Sequence, residues 1–269
     1  MEGRLTFLGT GTSMGVPTLG CDCPVCTSSD PRDRRLRPSV LLRWKEGDAE
    51  RDVVIDTGPD FREQALRAGL KHVDAVFYTH SHADHIFGLD DLRPLSFLSF
   101  RATGNPIPLY VTAETASVLE RIYDYTFAPN ATYPNRARVQ LEQIGDSVTA
   151  YGVEFVRVPI LHGRMKISGY RFGNTAYLTD VSDIPEASFA LLKGVENLIL
   201  SALRHKPHPT HATIEQAIEW ARRIGARRTW FTHISHDLGH EATNRWLPED
   251  IQLAYDGQTI SIDLGRGDL

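Results

Sequence analysis

The stretch that most constrains this chain is Thr79-His80-Ser81-His82-Ala83-Asp84-His85, in which three histidines and one aspartate fall within six residues. Before it, residues 73–78 form a short apolar run rich in β-branched and aromatic side chains, which is typical of a buried strand. The cluster therefore follows the carboxyl end of a strand, where open sheets tend to bind their ligands. Imidazole and carboxylate groups suit zinc, manganese or iron. Four such groups exceed the needs of one open catalytic metal, so the pattern indicates two metals side by side.

The composition limits the classes of protein that this chain can belong to. Its 269 residues are enough for one large domain, and we expect a single domain over 1–269. The formal net charge of -5 gives no general reason to bind nucleic acid or anionic lipid. No apolar run approaches the length of a membrane span, and the amino terminus has no signal-peptide pattern. We therefore expect a cytoplasmic protein without membrane contact.

The three cysteines of the chain, Cys21, Cys23 and Cys26, lie in one tight cluster. An odd number at this spacing argues against a disulfide framework. In a reducing compartment the pattern favours metal ligation. Three thiolates need a fourth ligand to complete a tetrahedral zinc site, and that ligand must come from elsewhere in the chain.

Two further features of the amino-terminal half have alternative interpretations. The glycine-rich residues 9–15 form either a cradle for a phosphate or a tight turn beside a crowded metal site, and the turn is favoured because the lysine of a P-loop is missing. Asp56 ends a predicted strand. It either holds a metal-binding histidine in one tautomer or caps the following helix.

The second half repeats the plan of a strand followed by a polar residue. Asp180 and His233 come directly after predicted strands, and His162 closely follows the predicted strand 153–159. Residues 213–224 carry an apolar stripe at helical spacing. Two β-rich halves with outer helices predict two facing sheets whose polar strand ends gather along one edge. Residues 93–140 look irregular apart from one short strand and one helix, and their aromatic and arginine side chains suit the wall of a substrate pocket.

The full pattern resembles the metallo-β-lactamase superfamily, because His80-x-His82-x-Asp84-His85 is followed in order by His162, Asp180 and His233. The resemblance implies an α/β (α+β) fold, a four-layer αββα sandwich. It also implies two catalytic divalent metals, zinc or manganese. The seven ligands divide between these metals, with His80, His82 and His162 on the first, Asp84, His85 and His233 on the second, and Asp180 bridging.

A narrower resemblance joins the cysteine cluster to the end of the chain. Gly20-Cys21-Asp22-Cys23-Pro24-Val25-Cys26 together with His233-Ile234-Ser235-His236 is similar to the phosphodiesterases that accompany carbon–phosphorus lyase. The resemblance makes His236 the fourth ligand of a structural zinc, beside Cys21, Cys23 and Cys26, in a loop at 20–26. It also implies a histidine against the scissile phosphate. His211, directly before the predicted helix, is the favoured candidate, with His205 and His208 as nearby alternatives.

The implied activity is hydrolysis of a small open or cyclic phosphodiester by a hydroxide that bridges two metals. Asp84, through the second metal, and His211 are the predicted catalytic residues. Arg93, Arg101 and Arg164 are candidates to bind a second phosphate. The long basic insertion with which tRNase Z clamps tRNA has no counterpart, so a nucleic-acid substrate is disfavoured.

Three alternatives stay open from the sequence. The same chemistry serves carboxyl-ester, thioester or lactone hydrolases, and a similar cysteine motif occurs in a cofactor-biosynthesis protein of the quinone type. A metal-binding scaffold without catalysis is the alternative from another class. The resemblance also leaves a homodimer open.

Overall fold

The computed structural model describes residues 1–129 and 133–265, and in these ranges fourteen strands form two sheets of seven. In spatial order the first sheet contains β14 (Thr259–Asp263), β1 (Glu2–Gly9), β2 (Ser39–Glu46), β3 (Ala49–Ile55), β4 (Ala75–Phe77), β5 (Ile107–Val111) and β6 (Val139–Gln143). The second contains β13 (Ile251–Leu253), β12 (Arg228–Thr232), β11 (Asn197–Ser201), β10 (Thr175–Leu178), β9 (Met165–Phe172), β8 (Val153–His162) and β7 (Ser147–Ala150).

The two sheets pack face to face around one apolar core. Alternation along β1 sends Leu5 and Phe7 into this core and Leu8 to the opposite face, as the two-residue period of a strand requires. Phe77 of the first sheet stacks on Phe155 of the second, with ring centroids 4.2 Å apart. Tyr170 meets Phe77 edge-on at 5.3 Å. Large interlocking rings therefore fix the distance between the sheets.

Helices cover both outer faces. The first sheet is covered by α1 (Phe61–Arg67), α3 (Arg93–Thr103), α4 (Ala113–Ile122) and α5 (Asp124–Phe127), and the second by α6 (Glu186–Leu191), α7 (Ile214–Ile224) and α8 (His240–Asn244). The short α2 (Ala83–Ile86) belongs to the strand-end loops. The predicted four-layer αββα sandwich of the α/β class is confirmed. No helix in the described ranges is long and apolar enough to cross a membrane.

Capping residues at both ends of α7 determine where this helix begins and ends. Thr213 accepts a hydrogen bond from the backbone N–H of Gln216, and the Gln216 side chain accepts one from the backbone of Thr213. This capping box satisfies two backbone donors of the first turn. Gly225 ends the helix at φ 75°, a left-handed conformation that glycine adopts without steric cost. The helix therefore begins at a fixed point beside the strand ends.

Residues 93–140 are more regular than the sequence predicts. They contain α3, α4 and α5 as well as β5 and β6. Pro94 stands in the first turn of α3, where its missing N–H costs no hydrogen bond. A proline that looks like a helix breaker thus marks the start of a helix.

Candidate metal centre

The centre lies where both sheets end on the same side. Asp56, Asp180 and His233 each follow a strand closely and have positive φ values of 64°, 57° and 55°. This left-handed conformation is unusual for residues other than glycine and costs on the order of 1–3 kcal/mol each. The backbone therefore turns sharply at three strand ends, and such strain is concentrated at functional sites.

The first group of candidate ligands joins the two sheets. His80 and His82 follow β4 of the first sheet, whereas His162 is the last residue of β8 in the second sheet. Their ligand atoms lie within 4.8 Å of one another. The His82 and His162 rings are 5.0 Å apart. These three imidazoles are close enough to hold one cation together.

The second group lies beside the first and contains both carboxylates. Asp84 and His85 come from α2, and Asp180 and His233 come from strand ends of the second sheet. One oxygen of Asp180, Oδ2, is 3.1 Å from His85 Nε2, and its other oxygen, Oδ1, is 3.1 Å from His233 Nε2. The ligand atoms of these four residues all lie within 4.8 Å. Asp180 is also within 4.8 Å of His162, so it contacts both groups.

Charges in the second group compensate one another. Burial alone would raise the pKa of Asp180, but His233 and His85 hold it well below its usual range. Burial alone would lower the pKa of His233, but Asp180 and Asp84 raise it to about 9. His85 is likewise raised well above its usual pKa by Asp84, Asp180 and Asp56 against the effect of burial. These carboxylates therefore favour the protonated form of both imidazoles, and a bound cation would displace those protons.

The orphaned polar atoms test whether this centre fits metal ions. His80 Nε2, Asp84 Oδ2, His85 Nε2 and His233 Nε2 are buried and have no partner in hydrogen-bonding geometry among the described residues, although Asp180 oxygens lie 3.1 Å from the last two nitrogens. Burying such atoms without a partner is costly. Histidine nitrogens and carboxylate oxygens are the donor set that zinc and manganese bind. The residues therefore fit divalent metal ions.

Outer contacts fix the orientation of two histidines. His85 Nδ1 donates to Asp56 Oδ2 at 2.7 Å, and Asp56 in turn accepts from the backbone N–H and the hydroxyl of Thr79. His162 Nδ1 donates to the carbonyl of Thr210 at 2.7 Å. In both cases Nε2 is left free for a metal. Of the two interpretations of Asp56, the contacts favour the one in which it holds a histidine. The contact with Thr210 has no sequence signal, because its acceptor is a backbone carbonyl.

His211 lies directly against both groups. Its ring is 4.6 Å from that of His162 and 4.7 Å from that of His233, and its Nδ1 is 3.7 Å from Asp180 Oδ1. Burial and the neighbouring His233 lower the pKa of His211 to about 3. A neutral imidazole, which can donate one N–H, therefore faces the centre. Of the alternatives, His205 pairs with Glu215 at the surface, and His208 lies one ring further out at 5.0 Å from His211.

The cysteine cluster forms a separate candidate site with His236. His236 Nδ1 is 3.2 Å from Cys21 Sγ, 3.6 Å from Cys23 Sγ and 3.3 Å from Cys26 Sγ. Burial raises the pKa of Cys26 to about 11, whereas a backbone N–H from Cys26 lowers that of Cys23. Four soft or borderline ligands around one point leave no open position, as in structural zinc sites.

A buried arginine holds the segment of the chain that carries His236. The side chain of Arg35 is fully buried and donates to the carbonyls of Ser235 and Leu238 and to Asp33. These carbonyls flank His236 in the chain. Burial lowers the pKa of Arg35 and Asp33 opposes that effect. Sequence patterns do not reveal this role, because an arginine in a polar, arginine-rich loop looks exposed.

The glycine-rich turn packs against the same loop. Gly11 pairs with Ile234 in a short parallel bridge, and the N–H of Thr12 donates to the Ile234 carbonyl at 3.1 Å. A Cβ at Gly9 would lie 1.9 Å from the Arg37 carbonyl, so glycine is required there. Of the two interpretations of this turn, the contacts favour the tight turn beside the crowded strand ends.

The arginines predicted to bind substrate have no recorded contact with the ligand groups among the described residues. Arg93 contacts Asp90 and Tyr133. Arg101 and Arg164 are exposed on the surface. Their role in substrate binding stays a prediction.

Comparisons with known proteins agree with this architecture. Residues 51–234 match the model of the beta-lactamase superfamily domain. A crystal structure described as a new diphosphatase from the PhnP family is 53% identical, covers 98% of both chains and has a TM-score of 0.90. The zinc-bound PqqB of Methylobacterium extorquens has a TM-score of 0.71 at 20% identity, covers 96% of this chain and 99% of its own, and shows the fold alone.

A curated relative is much longer than this chain. The octanoyltransferase of Porphyromonas gingivalis is 40% identical over 267 residues, which are 97% of this chain and 52% of that protein. The chain thus spans about half the length of the curated relatives it matches. This chain matches the superfamily domain model, has the two facing sheets of that fold, and is 53% identical to a PhnP-family structure. The chain therefore belongs to the metallo-β-lactamase-fold superfamily of hydrolases and, within it, to the PhnP family.

Proposed function

We propose that this chain hydrolyses small phosphodiesters at a pair of divalent metals. The observation that carries the proposal is the sharing of Asp180 between two adjacent ligand groups, with the ring of His211 stacked against them. Dinuclear centres of this kind suit in-line displacement at phosphorus, where an attacking and a leaving oxygen are both stabilised. Zinc and manganese both suit the donor set.

The proposed ligands divide as the two groups do. His80, His82 and His162 would hold one metal, Asp84, His85 and His233 would hold the other, and Asp180, which is close to both groups, would be shared by them. When bound, the metals supply a water of near-neutral pKa and offset the negative charge of the phosphate. Cys21, Cys23, Cys26 and His236 hold a structural zinc with no open position.

The protein's own contribution is orientation and a proton donor. Asp56 and the Thr210 carbonyl keep the Nδ1 protons of His85 and His162, so that both Nε2 atoms face the centre. His211 is neutral and donates its N–H to an oxygen of the phosphate, where negative charge increases during the reaction. Because its pKa is low, His211 donates as a neutral imidazole and not as a positively charged one.

One similar protein supports a phosphate substrate rather than a carboxyl ester. The neighbour with 53% identity is described as a diphosphatase, and diphosphates contain the same phosphoryl centre. The octanoyltransferase name applies to a protein about twice as long as the matched region. We therefore propose a phosphodiester or diphosphate substrate for this chain, which matches about half of that longer protein.

The proposal is tested with two chromogenic substrates. The protein is stripped with a chelator, reconstituted with zinc or manganese, and assayed with bis-p-nitrophenyl phosphate and p-nitrophenyl acetate. We expect metal-dependent turnover of the diester, lost in Asp180→Asn and kept in the exposed control Asp183→Asn. Turnover of the carboxyl ester without turnover of the diester would reject the proposal.

A further inference from the structure

A closed loop carries His211 and two other histidines over the centre. Residues 205–211 leave and re-enter the fold at a narrow neck, where the N–H of Leu203 donates to the Ala212 carbonyl and Arg204 pairs with Thr213. The Arg204 guanidinium donates into the loop, to the carbonyl of Lys206 at 3.2 Å. The loop is therefore held in shape by its own contacts.

One residue of this loop orients histidines on both of its sides. The carbonyl of Thr210 accepts from His162 Nδ1 at 2.7 Å. Its backbone N–H donates to His208 Nδ1 at 3.3 Å, and its hydroxyl lies 3.2 Å from the same atom. Because a backbone N–H can only donate, His208 Nδ1 is an acceptor and the ring carries its proton on Nε2. The loop thus presents His208 as a neutral donor with a defined tautomer.

His208 lies one step further from the metal groups than His211. The two rings are 5.0 Å apart at an angle of 42°, and the His211 ring is 4.6 Å from His162. Burial, with Arg204 and then His162 and His233 as charged neighbours, lowers the pKa of His208. The ring is therefore within electrostatic reach of the centre, yet it is no part of either ligand group.

The charge of the loop suits an anion. Residues 201–214 contain Arg204 and Lys206 but no aspartate or glutamate, although the whole chain has a net charge of -5. The nearest acidic residue in the chain, Glu215, is paired with His205 at 2.6 Å. The loop that carries His208 thus has a positive net charge, while the protein as a whole is negative.

We propose that His208 is a specificity-determining residue that binds a second phosphoryl group, next to the one attacked. His211 contacts the phosphoryl group over the metals, and His208, with Arg204 and Lys206 near it, contacts the phosphoryl group on the leaving side. The substrate class is therefore a diester of diphosphate, with two phosphoryl groups in series. Water adds to one phosphorus, the bond from that phosphorus to the bridging oxygen breaks, and two phosphate monoesters leave. This inference rests on the proposed function.

The test compares a substrate with two phosphoryl groups and one with a single phosphoryl group. In the reconstituted protein, His208→Ala removes one hydrogen bond to a charged oxygen, so KM for ADP-ribose rises about tenfold. Its kcat changes less, and KM and kcat for bis-p-nitrophenyl phosphate stay within about twofold, because that substrate has no second phosphoryl group. His208→Gln, which keeps a side-chain N–H, restores most of the affinity. The matched control is His205→Ala, an exposed histidine of the same loop.

Four results would overturn the assignment of His208. Equal losses on both substrates, or a loss of bound metal, would mean that His208 only supports His162 through Thr210. Unchanged kinetics on ADP-ribose, or failure of the unaltered protein to hydrolyse ADP-ribose while it turns over the single diester, would exclude the second phosphoryl subsite. Failure on both substrates would instead reject the proposed function itself.

Discussion

At the scale of single residues, the proton on each imidazole decides whether its other nitrogen can bind a metal. Asp56 Oδ2 accepts from His85 Nδ1, while its Oδ1 accepts from the backbone N–H of Thr79. The carboxylate therefore selects one tautomer of His85. Its own position is secured by a residue adjacent in the chain to the first ligand, His80.

The substitution Asp56→Asn changes this tautomer while preserving shape. The new side-chain amide would accept from Thr79 through its oxygen and turn its N–H₂ group towards His85, which then must protonate Nε2. We expect the affinity of the second metal to fall about 10–100-fold. The measurement is metal content at limiting free zinc set by a competing chelator. The first group, His80, His82 and His162, is the internal control, and retention of both catalytic metals at wild-type affinity would contradict this prediction.

His211 gives a second prediction at this scale. His211 contacts both ligand groups but is not one of the proposed ligands. His211→Ala should therefore lower kcat for a phosphodiester about 10²–10³-fold, as expected for the loss of one transition-state donor. Metal content should be unchanged. His205→Ala is the matched control, since it removes a histidine of the same loop at the surface. A variant that keeps wild-type kcat with its metals bound would show that His211 has another role.

The buried residue His240 should make the stability of the fold depend on pH. Burial, together with Arg32 and Arg35, lowers its pKa to about 4 from the ordinary value of 6.5. Below pH 6.5 the unfolded chain therefore takes up a proton that the folded chain refuses, and stability is lost as the pH falls towards 4. We expect a loss of about 1–2 kcal/mol by pH 5 from this residue. Urea denaturation of wild type and His240→Gln at pH 7 and pH 5 measures it, and an equal loss in both proteins would refute the assignment.

The sequence predicts those residues of the centre that stand in a compact motif or at the end of a predicted strand. His80 to His85 fall together in one motif, and Asp56 follows from its position at a strand end. The contacts of Arg35 with Ser235 and of His162 with Thr210 cross 200 and 48 positions. Such contacts depend on tertiary packing and on backbone atoms, for which single-sequence patterns carry no signal.

At the scale of elements, the cysteine loop is held by ligands rather than by a helix or strand. Within the described residues no strand or helix includes 21–26, and all three cysteine sulfurs lie within 3.6 Å of His236 Nδ1. A loop with so little regular structure gains its order from the proposed zinc.

Substitution of one cysteine tests this dependence. Cys23→Ser should lose one equivalent of zinc and several degrees of Tm, because a closed site loses one of its four ligands. Asp22→Asn, at an exposed position in the same loop, is the matched control. Metal analysis and a thermal scan measure both effects. A full complement of zinc in Cys23→Ser would exclude a Cys₃His site.

The elements that the sequence predicts least well lie between β4 and β7. Local patterns identify β5 and α4, since both show clear periodicity, but they miss α3. That helix exposes Leu98 and Phe100 and buries Ser96, so its apolar pattern does not mark its inner face. This segment forms a helix because it packs against the first sheet, and such tertiary contacts cannot be seen in local sequence patterns.

At the scale of the whole molecule, the proposed metals join the two halves of the sandwich. The first sheet supplies His80, His82, Asp84 and His85, and the second supplies His162, Asp180 and His233. The general plan of two facing sheets was predictable from two β-rich halves, whereas the pairing of β14 with β1 was not, because it joins the two ends of the described chain. Ligands from both sheets on each metal make metal binding part of the stability of the fold.

Removal of the catalytic metals should therefore destabilise the sandwich as a whole. With free zinc at about 1,000 times the dissociation constant, binding to the folded state alone adds about 4 kcal/mol per site. The Cys23→Ser variant isolates this effect from the structural zinc, and chelation should lower its Tm while added zinc or manganese restores it. His162 is the one ligand of the first group that the second sheet supplies. In His162→Ala, the increase in Tm on adding metal should therefore be smaller. An unchanged Tm on chelation would mean that the sheets hold their positions by the aromatic core alone, and that the centre is preorganised without its ions.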